Sequence, residues 1–180
     1  MSPVDPTFPD VPALAVPATP GFADLRVGQG FDVHPFSEDP ARPLILGGVV
    51  LDGARGLVGH SDADAIAHAV TDALLGAAGL GDIGQHFPDT DPAWKGADSM
   101  RILAATVDLL HTNGWKVINV DTTVGLEAPK LAPYRAEMAE RLTAVCGGPV
   151  SVKAKRAEGL GSLGRREGIA CFANALIVRR

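Results

Sequence analysis

The chain has 180 residues, 46% apolar and 21% charged, with a formal net charge of −5. That length and balance fit one soluble domain with a substantial core, and the acidic total argues against a general nucleic-acid binder, which would carry a basic face. A phosphate-bearing small molecule stays open, because local Lys and Arg can build a positive pocket inside an acidic protein.

In chain order, residues 1–24 carry Pro3, Pro6, Pro9, Pro12, Pro17 and Pro20, which interrupt any periodicity. This stretch is expected to be a disordered extension outside the fold, with a single domain over residues 25–180. It lacks a basic start followed by an apolar core, so no secretory signal is expected. No apolar run is long enough to span a membrane. Arg26 to Phe36 reads as a first strand, and Pro43 to Leu51 as a hairpin pair or a bulged strand. A loop with Gly53 and Gly56 leads to a helix from about Asp62 to Ala78, with Ile66, Val70, Leu74 and Ala77 on its buried side. Ser61 is the expected N-cap of that helix, with Asp64 as the acidic member of a capping box.

Gly79 to Gly84 ends this helix, and Phe87 to Pro92 is a polar, Pro-bounded loop. A second helix is predicted over Ser99 to Thr112, a strand over Trp115 to Leu126, and a third helix with Pro133 in its first turn, running to about Val145. Val150 to Lys155 is a strand, Glu158 to Glu167 a Gly-rich loop, and Ile169 to Val178 the last strand. Cys146 and Cys171 have no C-x-x-C spacing and read as buried thiols of a reducing compartment, so a cytoplasmic protein is expected. The element order implies an α+β fold, an α/β sandwich in which a mixed sheet carries helices on one face. Oligomerisation is expected to cover the other face.

The chemistry concentrates in a few places. Asp32 and His34 at i, i+2 share one face of the first strand, and His68 lies on the first helix. A carboxylate and two imidazoles suit Zn²⁺ or a similar divalent ion, with a fourth position left for water or substrate. Asp-x-His alone also fits a turn former, and a His on a helix stripe also fits a structural histidine. Asp82 reads first as a C-terminal turn residue. Phe87-Pro88-Asp89-Thr90-Asp91 is equally a binding loop or a surface turn. Lys130, between a strand and a helix, can meet phosphate near a helix N-terminus or simply be solvated. The segment Lys153 to Gly161 is basic and ends in a Gly-containing turn, which suits a diphosphate. Glu158 within it makes sense if a second divalent ion bridges it to that diphosphate.

Taken together, Gly30-Phe31-Asp32-Val33-His34, Gly59-His60-Ser61-Asp62, Asp72 to Ala78, Gly81-Asp82-Ile83-Gly84, Phe87-Pro88-Asp89-Thr90-Asp91 and Glu167-Gly168-Ile169-Ala170 resemble the 2-C-methyl-D-erythritol 2,4-cyclodiphosphate synthase family. The resemblance runs from about Arg26 to Val178. It implies an enzyme of the non-mevalonate isoprenoid route, a CMP-releasing phosphorus-oxygen lyase that cyclises 4-diphosphocytidyl-2-C-methyl-D-erythritol 2-phosphate. It further implies a homotrimer with active sites between subunits and no nucleic-acid or membrane partner. By motif position, Asp32, His34 and His68 would hold Zn²⁺, and Glu158 a second ion, Mg²⁺ or Mn²⁺. Asp32, Val33 and His34 would also line the substrate, and His60 and Ser61 would meet its phosphates.

Asp82, Ile83 and Gly84, with Phe87, Pro88, Asp89, Thr90 and Asp91, would hold the erythritol part. Ala128, Pro129 and Lys130, with Lys155, Arg156, Ala157 and Glu158, would hold the cytidine and its diphosphate, and Arg165 would reach a phosphate. His60 and Arg156 are the candidate catalytic groups. The chain departs from the family at Lys155-Arg156-Ala157-Glu158, where a Thr-Thr-Thr-Glu run is common, so Arg156 takes the place of a proposed transition-state threonine. Ser162-Leu163 replaces a common aromatic, and Glu127 a common neutral residue. Two alternatives stand beside this reading. One is a metal-dependent cyclase or phosphodiesterase with another nucleotide-linked substrate. The other is a non-catalytic trimeric metal- and nucleotide-binding module.

Overall fold

The computed structural model describes residues 25–180; the Pro-rich stretch 1–24 lies outside the described residues. Four strands form one mixed sheet in the order β1 (Leu25–Pro35), β6 (Gly168–Arg179), β4 (Trp115–Gly125), β5 (Val150–Lys155). β6 runs antiparallel to both β1 and β4, while β5 is parallel to β4. That parallel step needs a crossover, and α4 (Arg135–Cys146) supplies it. A separate two-stranded hairpin, β2 (Leu44–Leu46) and β3 (Val49–Leu51), turns on Gly47 and Gly48, both at positive φ. Short helical turns α2 (Ile83–His86) and α5 (Gly161–Gly164), with a 3₁₀ turn at Pro92–Trp94, interrupt the loops.

α1 (Ala65–Ala78), α3 (Ser99–Thr112) and α4 pack on one face of the sheet. On β1 the alternate residues Gly28, Gly30, Asp32 and His34 turn toward α1 and Val27, Phe31 and Val33 turn away. The first two are glycines for a reason. A Cβ on Gly28 would sit 2.0 Å from the Ala73 carbonyl oxygen, and one on Gly30 1.9 Å from that of Ala69. Ala65, Ala69, Ala73 and Ala77 repeat at i, i+4 along α1, so small meets small and the helix axis comes close to the strand. That approach carries Asp32 and His34 to within reach of His68.

Among the described residues, none covers the sheet's other face. Val27 is 73% exposed, Val33 52%, Phe31 47% and Phe172 45%. Phe31 and Phe172 pair across β1 and β6, with ring centroids 4.9 Å apart. The expected one-sided sandwich is therefore present.

Two local expectations are corrected. The first helix begins at Ala65, not near Asp62, and its N-cap is Asp64, not Ser61. Asp64 is fully buried and accepts from the backbone N–H groups of Ile66 and Ala67 and also from those of Gly47 and Gly48. Four donors on one carboxylate outcompete a single serine hydroxyl, and they fasten the β2–β3 turn to the helix start. Pro133 stands two residues before α4 rather than in its first turn. Cys146 and Cys171 are both buried, and burial pushes the Cys146 thiol up to about 12. No helix among the described residues is long and apolar enough to cross a membrane.

Candidate active site

Three side chains from two elements meet at the end of β1. His34 Nε2 lies 2.9 Å from Asp32 Oδ2, His68 Nδ1 lies 3.1 Å from the same oxygen, and the two ring nitrogens are 3.3 Å apart. A tetrahedral ion with ligand bonds of about 2.0–2.1 Å separates its ligands by roughly 3.3 Å, so the spacing and the N, N, O donor set fit a divalent metal such as zinc. Second contacts fix the rings. His34 Nδ1 lies 2.7 Å from the Val58 carbonyl, which only accepts, so Nδ1 carries a hydrogen, and Nε2 faces Asp32 as a donor when the ring is protonated and as a lone pair for an ion when it is not.

Electrostatics agree. Burial alone would raise the Asp32 carboxyl, but its bonds to His34 and His68 hold it well below the usual carboxylate range. For His34, burial works downward and the bond and charge of Asp32 upward, with a net rise. The three ligand-type atoms face each other and call for a positive charge between them.

The triad lies on a cleft of about 380 Å³ that also holds His60, Ser61, Ile83, Gly84, Phe87 and Asp89. The fold brings these residues to one cleft. The loop that carries His60 is fastened by Arg42, whose guanidinium donates to the carbonyls of Leu57, Gly59 (3.1 Å) and Ser61 (2.7 Å). It is also tied to the following loop, where Gly96 N–H donates to His60 O and Asp62 N–H to Ala97 O.

Asp82 contributes differently. Its carboxylate caps α2 through the N–H of Gln85 and accepts from the Gln85 side chain, and it is Ile83 and Gly84 that line the cleft. Asp91 likewise caps the 3₁₀ turn through Ala93 N–H. Pro88, Thr90 and Asp91 are not among the cleft-lining residues.

Other predicted residues gather elsewhere. Pro129, Lys130, Lys155 and Arg156 line a second cleft of about 280 Å³ with Leu126 and Glu127. Ala128 and Pro129 border a third, beside Phe36 and Arg166. Glu127 accepts from Arg156 Nε at 2.8 Å and from Gly159 N–H at 2.7 Å, so Glu127 and Arg156, at two of the three departures from the resembled pattern, are partners. Glu158 holds a left-handed backbone at φ 51° in that turn, and Arg165 pairs with Glu167 at 2.6 Å. Neither Glu158, Ala157 nor Arg165 borders the cleft of the triad.

Sequence reasoning missed Trp94, Ile102, Arg42 and Ser99. Trp94 stacks edge-on against Phe87, centroids 4.9 Å apart at 89°, and walls the cleft with Ile102. An aromatic just past a Pro-bounded loop was the available signal for Trp94. Ser99 and Arg42 act through contacts far apart in sequence, which no local pattern announces.

Residues 25–178 match the YgbB family. The chain belongs to the YgbB family. A relative named 2-C-methyl-D-erythritol 2,4-cyclodiphosphate synthase from Bordetella pertussis is 55% identical over 158 residues, 86% of this chain and 96% of that protein. One of the same name from Neisseria gonorrhoeae is 54% identical, covering 87% and 98%. Among solved structures, the bifunctional IspDF of Campylobacter jejuni superposes with a TM-score of 0.84 at 40% identity, covering 88% of this chain and 43% of that one. A CDP complex of IspF from Plasmodium falciparum gives 0.76 at 32% identity, covering 88% and 99%. These YgbB-family likenesses extend across the whole described domain and confirm the fold and the family expected from the sequence.

Proposed function

We propose that this YgbB-family chain is a 2-C-methyl-D-erythritol 2,4-cyclodiphosphate synthase of the non-mevalonate isoprenoid route. The observation that carries the reading is the 55% identity to a relative of that name, combined with the converged Asp32, His34 and His68. In the reaction, an oxygen of the substrate's 2-phosphate attacks the β-phosphorus of its diphosphate. A new P–O bond closes the ring, the bond from the β-phosphorus to the bridging oxygen breaks, and CMP leaves. The attacking oxygen is already anionic, so no general base is needed, and the main obstacle is bringing negative oxygens together.

The groups on this chain suit that task. His60 and Ser61 border the triad cleft and can hydrogen-bond phosphate oxygens there. Phe87, Asp89, Ile83 and Gly84 close the same cleft around the erythritol part, with Asp82, Pro88, Thr90 and Asp91 shaping its loops. Pro129, Lys130, Lys155 and Arg156 line the second cleft and suit a cytidine diphosphate, to which the family resemblance also brings Ala128, Ala157 and Arg165. Arg156 offers charge where a threonine hydroxyl is common. Asp32, His34 and His68 would hold Zn²⁺, and Glu158 Mg²⁺ or Mn²⁺, and such cations neutralise phosphate oxygens and polarise phosphorus.

The two groups of residues line separate clefts of one chain. A homotrimer in which the metal half of one subunit meets the nucleotide half of the next supplies a complete site. Buried thiols fit a cytoplasmic setting. The test is direct. Purified protein incubated with the diphosphocytidyl substrate and Mg²⁺ should release CMP and the cyclic diphosphate, read by mass spectrometry. Absence of CMP rejects the reading.

A further inference from the structure

A buried polar cluster stands behind the triad, among residues to which the family resemblance gives no role. Ser99 opens α3 and is fully buried. Its Oγ lies 2.8 Å from His68 Nε2 and donates a short hydrogen bond to Asp62 Oδ1, while its N–H donates to Asp62 Oδ2 at 3.1 Å. A carboxylate only accepts, and a serine hydroxyl has one hydrogen to give. That hydrogen goes to Asp62. The side of Ser99 Oγ that faces His68 is therefore a lone pair, and His68 Nε2 must bear a hydrogen. Nδ1, turned toward Asp32 Oδ2 (3.1 Å) and His34 Nε2 (3.3 Å), is then the atom left to give a lone pair to an ion; with no ion between them, its bond to Asp32 takes a second hydrogen, on Nδ1.

We propose that Asp62 and Ser99 are positioning residues that fix His68 as the Nε2–H tautomer and so present Nδ1 to a divalent metal. The inference rests on the metal-triad reading above. It differs in kind from the His34 arrangement, where a backbone carbonyl does the same task and no side chain could be removed. Ser61 is the competitor. Its Oγ is 3.1 Å from the same Nε2 and 3.3 Å from Ser99 Oγ, and its own hydrogen given to Nε2 would select the opposite tautomer. The shorter Ser99 contact and the carboxylate behind it decide in favour of Nε2–H. Ser61 is already an acceptor for Ala63 N–H at 3.2 Å, and as a further acceptor it fits the same direction.

The experiment has two readouts on the full chain. Zn²⁺ affinity is measured by competition with a chromophoric chelator, and the hydrogen on His68 Nε2 by ¹⁵N NMR of the full chain. Ser99→Ala is expected to bind Zn²⁺ about 10–100-fold more weakly, the usual effect of removing such an outer partner. Asp62→Asn is expected to fall in the same direction, because an amide can donate to Ser99 and release its hydrogen toward Nε2. Ser99→Thr keeps the hydroxyl and should restore affinity to within about threefold, which a purely packing role would not do. A His68 whose Nε2 carries no hydrogen in the natural chain overturns the proposal, as does Ser99→Ala binding Zn²⁺ as tightly as the natural chain. The tautomer spectrum needs no variant, so a variant that fails to fold leaves the test intact. Zn²⁺ uptake by the natural chain that His68→Ala does not change would instead reject the metal triad itself.

Discussion

Asp32 and His34 stabilise each other only while one is ionised and the other protonated, and this sets a pH window in protein stripped of metal. Asp32 is lowered from its ordinary 3.8, so its contribution is present above that value and lost as the pH falls through the folded value. His34 is raised from 6.5, so its contribution is present below 6.5 and lost as the pH rises through its folded value. Both hold in weakly acidic solution, between those two ordinary values. The melting-temperature gap between the natural chain and Asp32→Asn, both treated with EDTA, should be widest there and shrink toward alkaline pH; a gap that does not vary with pH removes the coupling. At the same scale, His68→Ala should reduce bound zinc to a small fraction of one per chain by elemental analysis, with the circular dichroism of the fold retained. Of these groups, Asp32, His34 and His68 were legible in the sequence because ligand-type residues at strand and helix spacing are conspicuous. Ser99 was not, since its partners Asp62 and His68 lie 37 and 31 positions away.

At the scale of elements, the site depends on how close β1 lies to α1. Gly28 and Gly30 and the alanines at 65, 69, 73 and 77 make that closeness possible. Gly30→Ala would place a methyl 1.9 Å from the Ala69 carbonyl oxygen, which is backbone and cannot rotate away. The strand must shift, so the variant should lose about 3 kcal/mol, overpacking of the costly kind, and melt roughly 6–12 °C lower. The same shift separates Asp32 and His34 from His68, so zinc affinity should drop alongside stability. Zinc affinity held at the natural value in a folded Gly30→Ala protein would show that the approach is not what assembles the triad.

The elements themselves were mostly legible. The helix expected over about Ser99 to Thr112 matches α3 because its apolar residues recur at regular helical spacing. The start of α1 was misplaced because its true cap, Asp64, is chosen by a hairpin turn 16 residues upstream and not by the local Ser-x-x-Asp pattern. α2, α5 and the 3₁₀ turn at Pro92–Trp94 are too short to leave a periodic signal.

Across the whole molecule, the sheet leaves an apolar face that none of the other described residues covers. Val27 pairs with Leu176, Phe31 with Phe172 and Val33 with Ala170 along it, while Gln29 faces Asn174. Among the described residues the helices occupy the opposite face and none covers this stripe, and a second copy of the chain brings the same stripe. The two clefts add an independent reason. Neither alone holds both the metal triad and the Lys130, Lys155 and Arg156 cluster. The homotrimer proposed above would satisfy both demands. Light scattering should accordingly give the mass of three chains at micromolar concentration. Phe172→Asp puts a charge at the centre of the stripe beside Phe31, whose ring centroid is 4.9 Å away, and burying it unpaired is too costly for the assembly to persist. The variant should run as a single chain, lose CMP release by at least about a hundredfold as the nucleotide half-site departs, and yet keep zinc, because Asp32, His34 and His68 all come from one chain. A natural chain that runs as a monomer, or a monomeric Phe172→Asp that retains full CMP release, would show that the site is complete within one subunit.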